Sequence, residues 1–338
     1  MIKQTIKRLL GQRLVLAGKI LLRGVPQSQN CRYFDYDRER FYRYSGVGHP
    51  DSKETLVARI VILCHVLEKG LTMPQRKTVF GVDVVDSLIQ RVTTYETKFG
   101  DDNSQVVHAI GVLKAYRQFR ETNNSSSFGD EKWERLVSFC NNHTGIPEAK
   151  QLHLTREAFY KDKEAAFPVF AHARHSLRNY TDEPLSIHRL QKAIDLAQTT
   201  PTACNRQYCR THCISDKTKM ARLLEIQGGS RGFGHLADKL LIVTADLVAL
   251  TQPRERDDLF TNGGMYLMNL CYALFYFEIA HCVLNWSREP EEDLAARQIL
   301  DIKPSETIIA ILTCGNAPEQ FDVALSPRNP PAKLLNSR

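Results

Sequence analysis

Several familiar signatures are missing from this chain of 338 residues. Its nine cysteines are an odd number, and they run from Cys31 to Cys314 without the framework spacing of a secreted scaffold. That points to reduced thiols in a cytoplasmic setting, with Cys64, Cys271, Cys282 and Cys314 acting as small hydrophobes inside apolar runs. Cys204, Cys209 and Cys213 lie close to His212, but no paired Cys-x-x-Cys units accompany them, so the spacing speaks against a metal site. The glycine-rich stretch GGSRGFG (228–234) follows a helical pattern and precedes a strand pattern. A dinucleotide fingerprint runs strand, glycines, helix, so an adenine dinucleotide fold is excluded. A dense basic stripe is also lacking: 45 Lys and Arg against 38 Asp and Glu give a formal charge of +7. This argues against a nucleic-acid partner and fits small anionic ligands or an anionic membrane surface. No internal repeat is visible.

Two hydrophobic stretches need placing. MYLMNLCYALFYFEIAHCVL (265–284) is long enough for a membrane span, but Asn269, Glu278 and His281 interrupt it. Ionisable groups are costly in a lone span, so the stretch is expected to be a fully buried central helix. The first 24 residues carry six basic side chains and no acidic one, with Leu and Ile at helical spacing. Arg13, Lys19 and Arg23 interrupt the apolar run, which is unlike a signal peptide. The stretch is expected to dock on the protein's own body, and a peripheral contact with an anionic membrane stays open as the alternative.

Helical periodicity covers 52–69, 82–99, 104–121 and 130–143, with a polar loop at 122–129. Residues 1–150 therefore read as an all-helical region. Past about residue 165 the pattern mixes: helices over 186–198, 217–227 and 289–300, and strands over 208–215, 239–246 and 306–316. Helices and strands without strict alternation predict an α+β domain over 151–338. Within the helical part, HVLEKGLTMP (65–74) has a non-random look, with Glu68, Lys69 and Gly70 closing a helix before Pro74. Residue types alone assign it no chemistry.

One stretch does suggest chemistry. In ARHSLRNY (173–180), Arg174, Ser176 and Arg178 alternate, which on an extended backbone puts all three on one side. Two guanidiniums and a hydroxyl converging on one point suit a phosphate or carboxylate. A solvated basic turn would have the same composition.

From these residues onward the chain resembles the FMN-dependent nitroreductase family, over roughly 167–331. The family's opening Arg-x-Ser-x-Arg signature corresponds to Arg174, Ser176 and Arg178, with His175 between them. A Pro-Ser-x-x-Asn-x-Gln loop corresponds to PTACNRQ, with Pro201, Thr202, Ala203, Cys204, Asn205 and Gln207. The long helix with Asn269 is similar to the family's central helix, and Val283, Leu284, Asn285 and Trp286 fall where relatives approach the flavin ring. SPRNPP near the C-terminus is similar to a terminal basic motif, which makes Arg328 a further phosphate ligand. Two residues depart from the pattern, Glu278 and Trp286, each where relatives often have small residues.

The resemblance implies a nitroreductase-like FMN-binding fold, a central mixed or antiparallel sheet flanked by helices, here preceded by the helical region. It implies FMN as cofactor, held by Arg174, His175, Ser176, Arg178 and Arg328, and by the 201–207 loop with Leu284 and Asn285. It implies a homodimer with flavin at the interface, in which hydride passes from NAD(P)H through flavin N5 to a nitro, quinone or other unsaturated small-molecule acceptor. The second reading is a flavin-binding scaffold or sensor without turnover, membrane-associated in a surface-polysaccharide pathway. The helical region is expected either to narrow the flavin entrance, with 65–74 near that contact, or to form a collar remote from it.

Overall fold

The computed structural model describes residues 27–100, 103–123, 131–331 and 334. The basic stretch 1–24 and most of the 122–129 loop lie outside the described residues. By contacts the chain divides into two units. One comprises residues 1–50 with 252–254, and the other residues 51–251 with 255–338. In the first, helix α1 (Gln27–Tyr44) exposes Phe34, Tyr36, Phe41 and Tyr42.

The second unit opens with helices that the sequence caps visibly. Ser52 accepts the Thr55 N–H at the start of α2 (Lys53–Leu71). Asn103 does the same for Gln105 and Val106 ahead of α4 (Ser104–Thr122). Between them runs α3 (Val82–Phe99), and α5 (Glu131–Asn142) follows. Such caps satisfy backbone donors that the first helical turn leaves unpaired. The apolar faces of α2 to α5 close on one core around Leu67, Leu88, Tyr95, Leu113, Tyr116 and Leu136. Gly70 is required by this packing, since a Cβ there would lie 2.1 Å from the Phe80 ring. These helices thus share a compact unit with the sheet while keeping a core of their own.

A short strand β1 (Leu152–Thr155) leads into α6 (Arg156–Tyr160) and α7 (Phe167–Ala173). Then come α8 (Ile187–Ala197), β2 (Cys209–Ile214), α9 (Lys217–Gln227), β3 (Lys239–Asp246) and α10 (Asp258–Tyr276). The chain continues through β4 (Ala280–Asn285), α11 (Pro290–Leu300), β5 (Glu306–Gly315) and β6 (Gln320–Val323). The main sheet has the order β2-β3-β5-β4, antiparallel at every pairing, and β1 and β6 form a separate antiparallel ribbon.

The continuous apolar run of β3 follows from burial on both faces. Leu240 and Ile242 point into a core with Leu223 of α9 and Ala296 of α11. Leu241 and Val243 point the other way, onto Leu190 of α8 and Leu270 of α10. The fold is therefore α+β with an antiparallel sheet between helices.

One expectation needs correcting. The apolar run 265–284 is not a single helix: α10 stops at Tyr276, and residues 280–285 form β4, paired with β5. The break is at Glu278, whose backbone has φ of 53°. That left-handed geometry is where a small residue would sit most easily, and Lys163 holds the Glu278 carboxylate at 2.5 Å. Nor is α10 fully buried, since Phe260, Met265, Met268 and Tyr276 are exposed. Among the described residues, no helix is long and apolar enough to cross a membrane.

Candidate functional site

The end of α7 gives way to extended backbone at Arg174, with φ −72° and ψ 117°. The N–H of Leu177 donates to the carbonyl of His281 at 3.0 Å, which pins this stretch to β4. Leu177 is fully buried in the core, while Arg174, His175, Ser176 and Arg178 line a cavity of about 880 Å³. Arg328, from the C-terminal segment, lines the same cavity. The alternation read from the sequence does bring two guanidiniums and a hydroxyl together, and a third guanidinium joins them.

The electrostatics of this cluster are uncompensated. The Nε atoms of Arg174 and Arg178 are buried without a hydrogen-bond partner, as is Nε2 of His281. Arg178 is 8% exposed, and no ion pair to it or to Arg174 exists among the described residues. Burial, with the charges of Arg174 and Arg328 added, pushes the His175 imidazole below its ordinary pKa. Burial and the Arg178 and Arg231 guanidiniums likewise push Lys69 down. A buried arginine without an anion is costly, so a cation cluster of this kind is built for an anionic ligand. These donors fit a phosphate monoester, for which arginine forks are well suited.

The helical region supplies part of the lining. Cys64, His65 and Glu68 of α2 line the cavity, with Gln105 and His108 of α4. Met268 and Tyr272 of α10 and Val283 of β4 supply apolar surface. The HVLEKGLTMP stretch is tied to the segment that follows α9. Lys69 Nζ donates to the Gly229 carbonyl at 3.4 Å, and Met73 packs against Gly232.

Glu68 is the one carboxylate in this wall, and sequence reading assigned it nothing. It takes a 2.9 Å hydrogen bond from His108 and one of 3.2 Å from the Ser326 N–H. Burial raises its carboxyl pKa, but the His108 and His65 contacts and the Ser326 N–H outweigh that and leave it at about 2. Cys64, Glu68 and His108 offer ligand atoms within 4.8 Å of one another. However, burial, with the Glu68 charge beside it, raises the Cys64 thiol well above its ordinary pKa, so it stays protonated there. His212, beside Cys209 and Cys213, is engaged by Glu306 at 2.6 Å.

The other sequence candidates lie outside the cavity lining. The Pro201–Gln207 loop is partly exposed and held by hydrogen bonds. Ala203 N–H donates to Asn262 at 2.8 Å, Gln207 N–H donates to Thr202 at 2.9 Å, and Arg206 reaches the Ala249 carbonyl. Cys204, Asn205 and Gln207 all have positive φ, a strained backbone of the kind concentrated at functional loops. Leu284 faces the core rather than the cavity, and Asn285 is exposed with its carbonyl taken by Gln227. Trp286 turns its indole N–H to Asp293 at 2.7 Å. Neither Trp286 nor Glu278 lines the cavity.

With this geometry in hand, comparison with known proteins places the segment. Residues 171–231 match the nitroreductase family, a span holding both the Arg174–Arg178 stretch and the 201–207 loop, and a helical region precedes it. Several solved structures are similar. One is a putative NADH oxidase from Clostridium acetobutylicum, 14% identical, covering 49% of this chain and 97% of that one with a TM-score of 0.43. Another is a putative nitroreductase from Desulfovibrio desulfuricans in complex with FMN, 20% identical, covering 50% and 94% with a TM-score of 0.42. A third, NfrA2 of B. megaterium, is 21% identical, covering 49% and 72% with a TM-score of 0.44. No curated protein matches the chain.

Proposed function

We propose that this protein is an FMN-dependent oxidoreductase that works as a homodimer, taking hydride from NAD(P)H and passing it to a nitro, quinone or other unsaturated small molecule. The observation that carries the reading is the Arg178 guanidinium. It is nearly buried and has no anionic partner among the described residues, in a cavity shared with Arg174, Ser176 and Arg328. The family match over 171–231 covers three of these four residues.

Bound FMN would supply the redox chemistry itself. The chain's own residues do the rest. Arg174, Ser176, Arg178 and Arg328 hold the phosphate, each charged hydrogen bond contributing about 1.5–3 kcal/mol. Met268, Tyr272 and Val283 exclude water from the apolar side of the cavity. Outside this lining, the 201–207 loop would serve the flavin of a second copy, and Leu284 and Asn285 would contribute through β4, the strand that also carries Val283. The exposed apolar residues of α10 are the dimer surface. The setting is cytoplasmic.

The absorption spectrum of purified protein, before and after reduced nicotinamide is added, tests the reading. A flavin spectrum that bleaches on addition of NADH or NADPH supports it. Protein that neither carries nor takes up FMN overturns it, and flavin that binds without bleaching leaves the scaffold or sensor reading.

A further inference from the structure

A carboxylate in the wall of an anion site opposes the ligand unless its charge is engaged elsewhere, and Glu68 is engaged. Its Oε1 accepts from the Ser326 N–H at 3.2 Å and its Oε2 from the Ser326 hydroxyl at 3.5 Å. Ser326 has φ of 41°, a left-handed backbone that a serine seldom adopts unaided.

The neighbouring residues are held in the same way. Gln105 donates to the Pro327 carbonyl at 3.2 Å, and the Leu325 N–H donates to the Gln151 side chain at 3.2 Å. Among the described residues, no backbone–backbone hydrogen bond reaches 325–327. This turn is therefore held by side chains that come from elsewhere, two of them from α2 and α4. Its strained carbonyl, that of Ser326, then accepts from Arg328 Nη1 at 2.7 Å, which fixes the direction of the Arg328 side chain at the cavity.

We propose that Glu68, supported by Gln105, is a positioning residue for flavin phosphate: it clamps the 325–327 turn so that Arg328 is presented to the phosphate of FMN. The inference rests on the FMN reading above. On this account the helical region completes the cofactor site instead of merely covering it. The ligand group affected is the phosphate alone, because Arg328 is the element that the clamp controls. The Glu68 carboxylate oxygens are taken up by Ser326, with His108 and His65 beside them at 2.9 and 3.7 Å.

The test uses the full chain and two probes, FMN and riboflavin, which differ by the phosphate. Dissociation constants are read by quenching of flavin fluorescence. Glu68→Leu should weaken FMN by about tenfold or more while changing riboflavin by less than about twofold. Gln105→Ala, a partly exposed position that spares the core, should shift the FMN-to-riboflavin ratio the same way by about threefold. Adding Ser326→Gly to Glu68→Leu should recover part of the FMN affinity, since glycine reaches the left-handed geometry without help. An unchanged ratio in Gln105→Ala, or an equal loss of both flavins in a folded Glu68→Leu, overturns the proposal. Wild-type protein that binds neither flavin would instead overturn the FMN reading on which it stands.

Discussion

Glu68 and Ser326 lie 258 positions apart in the chain and share a hydrogen bond of 3.2 Å. The contact joins the first helix of the helical core to the turn that precedes Arg328. A second tie runs parallel to it: Arg76, just past α2, pairs with Asp322 of β6 at 3.2 Å. Both link the helical region to the C-terminal segment, and they make α2 part of the cavity wall. The helical region thus lines the cavity with residues of α2 and α4 instead of standing apart from it.

The cation cluster makes the most direct prediction. Arg174→Ala and Arg178→Ala each remove a charged donor that leaves no partner stranded among the described residues, so the fold should tolerate the change. Loss of one charged contact corresponds to about one to two orders of magnitude in FMN affinity. Isothermal titration of flavin-free protein measures it. Two variants that both bind FMN like wild type would remove the phosphate assignment.

How much of this was readable in advance depends on the range of the interaction. Ser52, Asn103, Ser186 and Asp216 mark helix starts locally, and each caps the helix expected. The Arg174–Ser176–Arg178 alternation was equally local. The end of α10 was not legible, because no glycine or proline marks the break and Glu278 takes the left-handed backbone instead. The strands β1 and β6 have four residues each, too few for periodicity to register. Glu68 carried one available signal, a carboxylate continuing the buried stripe of Ile60, Cys64 and Leu67. Its partner, however, was far away in sequence, and no local rule finds such a pair.

The face of α10 predicts assembly. Met265, Met268, Tyr272 and Tyr276 recur at steps of three and four residues, and three of them are exposed apolar positions. Placing a charge there should cost far more in a dimer than in a monomer. Met265→Glu is expected to shift the protein from dimer to monomer in light scattering and to lower its flavin content. A wild type that runs as a monomer at every concentration while retaining FMN would sink the dimer.

Acid should destabilise the flavin-free protein through His281. Burial holds its imidazole at about 4, below the ordinary 6.5, with Arg174 adding to the effect and the Ile279 carbonyl opposing it. The folded state therefore keeps this group neutral where the unfolded chain protonates it. Stability is complete above pH 6.5 and declines as pH falls toward 4. Between pH 7 and 5 the loss from this residue is about 2 kcal/mol. Glu68 acts in a different window: its depressed carboxyl contributes above 4.5, and the contribution fades as pH falls toward 2. Urea unfolding at pH 7 and 5 separates the two. His281→Asn should lose less stability across that interval than wild type, and parallel curves would show that His281 is not the source.

Truncation tests the place of the helical core. Residues 51–251 and 255–338 form one compact unit, so a chain beginning at Asp51 should fold and take up FMN. A chain beginning at Gln151 keeps the sheet but loses the surface that Met73 covers near Gly232 and the partners of Asp322 and Ser326. Without Glu68 and Gln105, the 325–327 turn has no helical support and Arg328 is no longer aimed. The shorter chain should therefore melt at lower temperature and discriminate poorly between FMN and riboflavin, while the chain from Asp51 discriminates like the full protein. Melting curves and the two flavin affinities, measured on both truncations, are enough to decide. Equal stability and equal discrimination in the chain from Gln151 would mean that the helical core contributes nothing to the site, whatever its contacts.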